Sequence, residues 1–437
     1  MRNTIKYVSV ALLFFLCYSL QGQTQIVKLN IGDQSTPQDD IYLELVSRFQ
    51  HNNSRPNHSN DKYDRSIYSP KSVKFSVDGK KFYIQSLEGY TTSVYRSDSL
   101  KRIKVIRHSF GPEQNRLFKN NENTIFGYKY YGETAHKNYF KGKPVESCLS
   151  HNGKYLWVSY YRRDYDKNAI SPSAVAIIDT EYDSIVRVMP TGPLPKMLAA
   201  SPNNKFLAVT HWGDNTVGII DISSNDVMDF KYIAHSIIDF QSKNNFNELV
   251  NRDQNCSNCL RGTLFTPDNK YLLIGKMGGN GIAVVSVGDF IYQGTIVGIK
   301  QNVRHLIQDD NILFISTNKT GYVQKTDLNI MLDSFNGSPS KGNFLYKNWT
   351  SSYVGTGVRT IAKTNHKNYV FAAVNNSSEL VILDAKSLSI IGKMRVDSYP
   401  VGMAISPDDK YLIVTSQGRR SAGGNSVMVF EIKENTR

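Results

Sequence analysis

The stretch that decides the fold is Ser406-Pro407-Asp408-Asp409-Lys410-Tyr411-Leu412-Ile413-Val414. Pro407 presets φ, and the side chains of Asp408 and Asp409 can bond their own backbone, so these residues predict a tight turn. The alternation of apolar side chains that follows predicts a strand. The stretch therefore joins two neighbouring strands.

The same phrase recurs along the chain. Two close copies occupy residues 201–209 and 266–274, looser copies begin at 76 and 150, and degenerate copies lie around 309–311 and 364–368, which gives seven in all. Each copy is followed by further short runs, such as Glu379-Leu380-Val381-Ile382-Leu383-Asp384. Four short antiparallel strands per unit, repeated without predicted helices, indicate an all-β, seven-bladed β-propeller.

The two chain ends are predicted to close the propeller together. The last unit stops after its third strand, at residues 426–432. We predict that the run Gln25-Ile26-Val27-Lys28-Leu29-Asn30-Ile31 supplies the missing outer strand, because this pairing removes an open sheet edge.

The repeat resembles that of the YVTN-family propellers, which has the form of residues 406–414 followed by a Val-Ile-Asp strand. The resemblance covers nearly all of residues 24–437, and the long insertions depart from it. It implies the propeller fold. It leaves the function open, because the family includes surface-layer proteins, exported binding proteins and relatives of lactonases and of cofactor-carrying dehydrogenase subunits.

The amino terminus predicts export. Arg2 and Lys6 precede an apolar run over residues 7–20, which is the pattern of a secretory signal peptide over residues 1–23. Leu16 stands where a lipobox needs a small residue before Cys17, so we expect no lipid anchor. The chain is then a monomer of the periplasm or cell surface, with no transmembrane segment. Its formal net charge of +14 favours anionic partners but does not indicate which anion binds.

Three insertions are predicted to crowd one face of the propeller. They lie near residues 111–140, 224–258 and 336–354, and each is expected to join an outer strand to the next inner strand. We call this side the inserted face. The opposite side, which carries the turns of the repeated phrase, is called the turn face.

One aligned position of the inner strands is enriched in cations. It lies five residues before the first residue of each repeated phrase, and it holds Lys71, Val145, Lys196, Arg261, Arg304, Arg359 and Val401. Lys and Arg make up 52 of the 437 residues, so five cations among seven positions exceed what composition alone gives. Because inner strands line the channel, these five cations, called the cation ring, are expected at its mouth on the inserted face.

Two hypotheses account for the cation ring. It could bind an anionic ligand, because Arg binds carboxylate or phosphate through two parallel hydrogen bonds. Alternatively it could pair with acids of the same chain, for which Glu146, Asp214 and Glu248 are the candidates.

Aromatic side chains and further polar residues are predicted next to the cation ring. His211, Trp212, His305 and Lys319 are predicted at the same mouth, where they would suit a carboxylate, a phosphate, an acidic glycan or a nucleic acid. The alternative is that these aromatic side chains cover blade edges.

The cysteines predict a local disulfide. Cys256 and Cys259 stand two residues before Arg261, and an exported chain favours their oxidation. Zinc would need two further ligands, so no metal is predicted. Leu260 excludes haem attachment, since that motif needs a His there. Cys148 is expected to be a buried free thiol.

No catalytic motif is present in the sequence. The preferred function is therefore a binding or scaffold module without a cofactor. A lactonase-like hydrolase or dehydrogenase-subunit-like enzyme is one alternative, using His211, Asp214, Glu146 or His305. A protein–protein interaction module, which would expose an apolar patch on the inserted face, is another.

Overall fold

The computed structural model describes residues 29–36, 41–120, 122, 124–130, 137–242, 250–339, 342–418 and 424–435. The predicted signal peptide lies outside these residues. So do Glu248 and residues 25–28 of the run predicted to close the propeller.

Seven four-stranded antiparallel sheets, called blades, form a closed ring in which each inner strand contacts the inner strands of both neighbours. From the inner to the outer strand, blade 1 comprises Pro70–Phe75, Lys81–Ser86, Thr91–Arg96 and Arg102–Arg107. Blade 2 comprises Phe140–Ser150, Tyr155–Arg163, Pro172–Asp179 and Ser184–Pro193. Blade 3 comprises Pro195–Ala200, Phe206–His211, Thr216–Asp221 and Lys231–Ile237. Blade 4 comprises Leu260–Phe265, Tyr271–Lys276, Ile282–Ser286 and Tyr292–Val297. Blade 5 comprises Val303–Asp309, Ile312–Thr317, Tyr322–Asp327 and Thr350–Tyr353. Blade 6 comprises Val358–Lys363, Tyr369–Val374, Glu379–Asp384 and Ile390–Arg395. Blade 7 comprises Pro400–Ile405, Tyr411–Ser416, Ser426–Glu434 and Ile41–Gln50. The prediction of a seven-bladed β-propeller is confirmed.

Short extra strands extend three blades. Ser109–Phe110 pairs with the start of the inner strand of blade 2, Asn343–Leu345 adds to the outer strand of blade 4, and Asp61–Tyr63 adds to that of blade 7. The core is divided into seven apolar clusters, each packed between two adjacent blades. The cluster between blades 7 and 1 is built like the others, so the ring has no weak seam.

The strand that closes the ring comes later in the chain than predicted. Ile41–Gln50 pairs antiparallel with Ser426–Glu434, and its side chains alternate between buried and half-buried over most of its length. The prediction of residues 25–31 is therefore wrong in position. Of that run, Leu29 packs into the core between blades 6 and 7 without forming a strand. The ten-residue strand has the longer apolar alternation, so it buries more surface.

The helices are few. The α-helix Leu328–Asn336, called α1, buries Leu328, Met331, Leu332 and Phe335 along one face, and the Asp327 side chain accepts a hydrogen bond from the Ile330 amide at its N-terminus. Single 3₁₀ turns lie at Pro112–Leu117, His151–Gly153 and Val227–Asp229. The expectation of units without helices misses α1. No helix among the described residues has the length and apolar character needed to span a bilayer.

Two of the three predicted insertions are not simple links between blades. Residues 224–258 contain the outer strand of blade 3, and residues 336–354 contain the outer strand of blade 5. The segment with α1 lies between the third and outer strands of blade 5, which places its ends on the turn face. The prediction that all three insertions crowd the inserted face is wrong for this segment. The outer strand Thr350–Tyr353 reads Thr-Ser-Ser-Tyr, and such a short polar run carries no apolar alternation.

The repeated phrase is explained by one set of hydrogen bonds. In blade 7 the Ser406 hydroxyl donates to the Asp408 carboxylate and accepts from the Tyr411 amide at 2.8 Å. The same bonds form from Ser201 in blade 3 and from Thr266 in blade 4. A hydroxyl residue, an Asx two residues on and a strand five residues on are therefore one structural unit.

The last Asx of the phrase links adjacent blades. Asp409 has a φ of +56°, is 1% exposed and accepts hydrogen bonds from the Asn365 and His366 amides of blade 6, both at 2.6 Å. Asn204 accepts likewise from the His151 amide of the preceding blade at 2.8 Å. These bonds link blade 6 to blade 7 and blade 2 to blade 3 at the turn face.

Candidate ligand-binding site at the channel

Each of the seven inner strands carries a β-bulge at the aligned position of the cation ring. In blade 5, Val303 pairs with Thr317 and His305 pairs with Ser316, so Arg304 is an extra residue in the ladder. A bulge bends its strand and re-aims a side chain. The five cations therefore share one local backbone geometry as well as one aligned position.

The five cations lie close enough to repel one another. The pKa of Lys71 is lowered well below its ordinary value by burial first, and then by Arg359, Lys196, Arg261 and Arg304. Burial, followed by Arg359 and Arg261, also lowers the pKa of Arg304. Side chains from blades 1, 3, 4, 5 and 6 thus converge on one region of the channel.

Lys196 is enclosed by residues of its own chain. Its ammonium lies 3.2 Å from the Asp253 carboxylate, 4.1 Å from the centre of the Tyr161 ring and 4.9 Å from that of Trp212. Burial lowers its pKa to about 7, although Asp253 opposes that shift. Trp212, predicted to face a ligand, therefore stacks on a cation of this chain, and Asp253 is an acid that the sequence reasoning missed.

Arg261 is paired across the channel. Its guanidinium forms an ion pair with Glu146 of blade 2, passing the inner strand of blade 3 on the way. Of the proposed partners Glu146 and Asp214, which the structure describes, Glu146 contacts the cation ring. Asp214 lies elsewhere, where it accepts hydrogen bonds from Tyr128 and Thr216, and its burial raises its pKa to about 6.

The other three cations have no carboxylate partner within ion-pair distance among the described residues. Lys71 donates to the Gln417 side chain at 2.8 Å, and Arg359 donates to the Tyr399 hydroxyl at 3.1 Å. The Arg304 guanidinium lies 3.4 Å from the Met277 sulfur, a weak acceptor, and the residue is only 8% exposed. Among the described residues two carboxylates, Asp253 and Glu146, pair with members of the cation ring, which leaves Lys71, Arg304 and Arg359 without an ion-pair partner.

The remaining candidate residues separate into different environments. His211 is fully buried in blade 3, where its Nε2 accepts from the Gly192 amide and its Nδ1 lies 2.8 Å from the Thr216 hydroxyl, so it is a structural residue. Lys319 is exposed on the turn between the second and third strands of blade 5. His305 lines the channel, and burial lowers its pKa to about 3.

The acid and base candidates are not assembled into one catalytic group. Asp214 and His211 both hydrogen-bond to the Thr216 hydroxyl, and both are buried within blade 3. Glu146 and His305 line the channel, where Glu146 is already paired with Arg261. The described residues contain no group of three His, Cys, Asp or Glu side chains that could hold a metal ion.

The channel contains a cavity of about 770 Å³. Its lining extends from Val77, Asn365 and Pro407 on the turn face inward to Arg261 and Arg304. The sequence placed the opening at the inserted face, and this second approach was not predicted. It follows from the short turns of the repeated phrase, which leave that end of the channel uncovered.

Cys256 and Cys259 form a disulfide in the structure, with their Cα atoms 4.8 Å apart. The loop that they close is tied to blade 3, because the Asn258 amide donates to the Asn215 side chain at 3.0 Å. Asp253 lies on the same loop. Cys148 is a buried free thiol, as predicted, and burial raises its pKa to about 12.

Sequence similarity to a known protein covers part of the chain, and structural similarity to known proteins covers most of it. No protein-family model matches this chain. The chain is 27% identical to Antigen Lp49 of Leptospira interrogans over an alignment of 176 residues, which covers 34% of this chain. It spans only 38% of the length of that relative.

Two solved structures share the architecture. A chain of Kuenenia stuttgartiensis Hydrazine Synthase is 13% identical, with a TM-score of 0.55 and coverage of 86% of this chain and 99% of its own length. A chain of the Mitotic Checkpoint Complex is also 13% identical, with a TM-score of 0.53 and coverage of 84% and 90%. At this identity the likeness establishes the fold alone, that of a β-propeller.

Proposed function

We propose that this protein is an exported binding module that holds an anion at the cation ring. The observation that carries the proposal is the convergence of Lys71, Arg304 and Arg359, which lack a carboxylate partner among the described residues. A buried cation without a counter-charge costs free energy, and a bound carboxylate or phosphate would offset that cost.

The chemistry of the ring favours an oxyanion. Arg304 and Arg359 present planar donors that match the oxygens of carboxylate or phosphate, and Lys71 adds a point charge. Among the described residues, Glu146 and Asp253 form their ion pairs with Arg261 and Lys196. The mutual repulsion of the cations that lowers the pKa of Lys71 would be relieved when an anion binds.

Export is part of the proposal. It rests on the charged and apolar pattern of residues 1–23, on the Cys256–Cys259 disulfide, which is typical of an oxidising compartment, and on the likeness to a protein named as an antigen. Mass spectrometry of the secreted chain tests it. A mature amino terminus near residue 24 supports export, whereas an intact Met1 in the cell fraction contradicts it.

The binding site is tested by thermal unfolding in phosphate, sulfate, citrate and a sulfated oligosaccharide, each compared with chloride at equal ionic strength. An anion at 100 times its Kd should stabilise the chain by about 2.7 kcal/mol. Arg304→Met should abolish this stabilisation, while Lys319→Met, a matched loss of an exposed cation, should retain it. Equal stabilisation of both variants, or none in the unmodified protein, would contradict the proposal.

A further inference from the structure

Lys71 and Arg359 lie on either side of blade 7, at its inserted-face end. Tyr399 directly precedes the inner strand of that blade, Gln417 directly follows its second strand, and the Gln417 amide donates to the Tyr399 carbonyl at 3.0 Å. The Lys71 amine, from blade 1, contacts the Gln417 side chain. The Arg359 guanidinium, from blade 6, contacts the Tyr399 hydroxyl. Because blade 7 carries Val401 at the aligned position, an amine and a guanidinium flank an uncharged gap in the ring.

Lys71 is held by its backbone, and its amine is not held by an acid. Its carbonyl oxygen accepts a hydrogen bond from the Thr415 hydroxyl of blade 7 at 2.6 Å, which fixes the position of the strand. Its side chain is half-buried, and among the described residues no carboxylate lies within ion-pair distance of its amine. Lys196, the other lysine of the ring, is buried and pairs with Asp253. Lys71 is therefore the lysine of the ring that no acid keeps in the ammonium form.

The surroundings of Lys71 favour the neutral amine. Burial first, and then the nearby cations led by Arg359, lower its pKa well below the ordinary value. A lysine that is desolvated or lies next to another cation keeps its lone pair nearer to neutral pH, and it is then a nucleophile towards carbonyl carbon. The Arg359 guanidinium stays charged under the same conditions and presents two parallel donors to a carboxylate.

We propose that Lys71 binds an oxo acid covalently as an imine while Arg359 holds the carboxylate of that acid. An oxo acid is here a small carboxylate that also carries a ketone or aldehyde group. The Lys71 nitrogen attacks the carbonyl carbon, and the carbonyl oxygen then leaves as water with the two protons of the amine. A C=N bond thus replaces the C=O bond, and no oxidant or reductant is consumed. This inference rests on the proposed anion site, and it adds the class of ligand and a reaction.

The test is reductive trapping of the purified protein with pyruvate and cyanoborohydride at neutral pH. Hydride from the reagent converts the imine to a stable secondary amine, which peptide mass spectrometry locates in the chain. We expect Lys71 to be labelled at least about tenfold faster than the exposed Lys319. Acetone, which has the carbonyl group without the carboxylate, should label Lys71 far more slowly. Lactate, which has the carboxylate without the carbonyl group, should slow labelling by pyruvate because it competes for Arg359.

Three variants separate the amine from the guanidinium. Lys71→Arg keeps a cation but cannot form an imine, so the fast labelling should disappear. Lys319→Arg is the matched control and should leave the labelling of Lys71 unchanged. Arg359→Met should slow labelling by pyruvate and should also remove the preference for pyruvate over acetone, which a general loss of amine reactivity would not do. Thermal unfolding of the three variants establishes that they fold.

The outcomes separate the inference from the proposed function. If phosphate and lactate stabilise the protein but pyruvate labels Lys71 no faster than Lys319, the anion site stands and the imine is wrong. If pyruvate and acetone label Lys71 equally well, or if Arg359→Met keeps the preference for pyruvate, the carboxylate is not held by Arg359 and the inference is also wrong. If no anion stabilises the protein and pyruvate does not label Lys71, both proposals fail.

Discussion

The turn face and the cation ring use repetition in different ways. On the turn face, blades 3, 4 and 7 form the same hydrogen bonds from the same residue types. At the cation ring the blades share a bulge and a charge, yet each cation has a different neighbour, such as Gln417 for Lys71 and Met277 for Arg304. The turn face is thus built by local sequence, whereas the ring is completed by residues distant in the chain.

The largest expected effect comes from breaking the ring. Glu146→Gln would leave Arg261 without a carboxylate among four other cations, so we expect the free energy of unfolding to fall by about 3 kcal/mol. Urea unfolding measures it. Asp98→Asn, which breaks the exposed Arg96–Asp98 pair, is the control and should leave the free energy of unfolding nearly unchanged.

Added phosphate sharpens that prediction. If the ring binds anions, phosphate should restore part of the stability lost in Glu146→Gln and should leave Asp98→Asn unaffected. If the free energy of unfolding falls no more in Glu146→Gln than in the control, then Glu146 is not needed to offset the repulsion among the cations of the ring.

The turn face should respond less strongly. Asp409→Ala removes the acceptor for the Asn365 and His366 amides, and we expect a loss of about 1–3 kcal/mol beyond any backbone effect. Asp310→Ala is a matched control, because Asp310 also has a positive φ, +47°, and the described structure shows no hydrogen bond to its side chain. Chemical unfolding of the two variants gives the difference, and equal losses would show that backbone conformation alone matters at Asp409.

The smallest effect is a dependence of stability on pH. The pKa of Lys196 is about 7 in the folded chain and about 10.4 when unfolded, so between these values the unfolded chain binds more protons. The free energy of unfolding should therefore rise with pH, by about 1.6 kcal/mol between pH 7 and 8.5. Lys196→Met should remove that part of the rise in urea unfolding, and an unchanged slope would contradict the low pKa.

The difference between the two regions also explains what the sequence predicts. The repeated phrases predict the fold because the close copies combine a hydroxyl residue, an Asx and an apolar alternation at fixed spacing. The aligned cations of the ring are equally visible. Their partners are not, because Asp253 comes from a loop more than fifty residues from Lys196 and only the folded chain brings the two together.

Glycines next to the aligned position are a weak sequence signal of the β-bulges in the inner strands. Gly402 directly follows the aligned position in blade 7, and a Cβ there would lie 2.1 Å from the Lys71 carbonyl oxygen. Gly262 has the same place in blade 4, where a Cβ would lie 3.0 Å from the Arg304 carbonyl oxygen. Glycines one residue beyond the aligned position therefore indicate close approach of the neighbouring strand. The outer strand Thr350–Tyr353 carried no such signal.

The most direct test of the central claim is a crystal structure of the mature chain grown with selenate at low millimolar concentration, with the anion located by its anomalous scattering. The account predicts one strong site within hydrogen-bond distance of the Arg304 guanidinium, absent in Arg304→Met crystals grown in the same way. Selenate found only on exposed lysines such as Lys319, with Arg304 still against Met277, would contradict it.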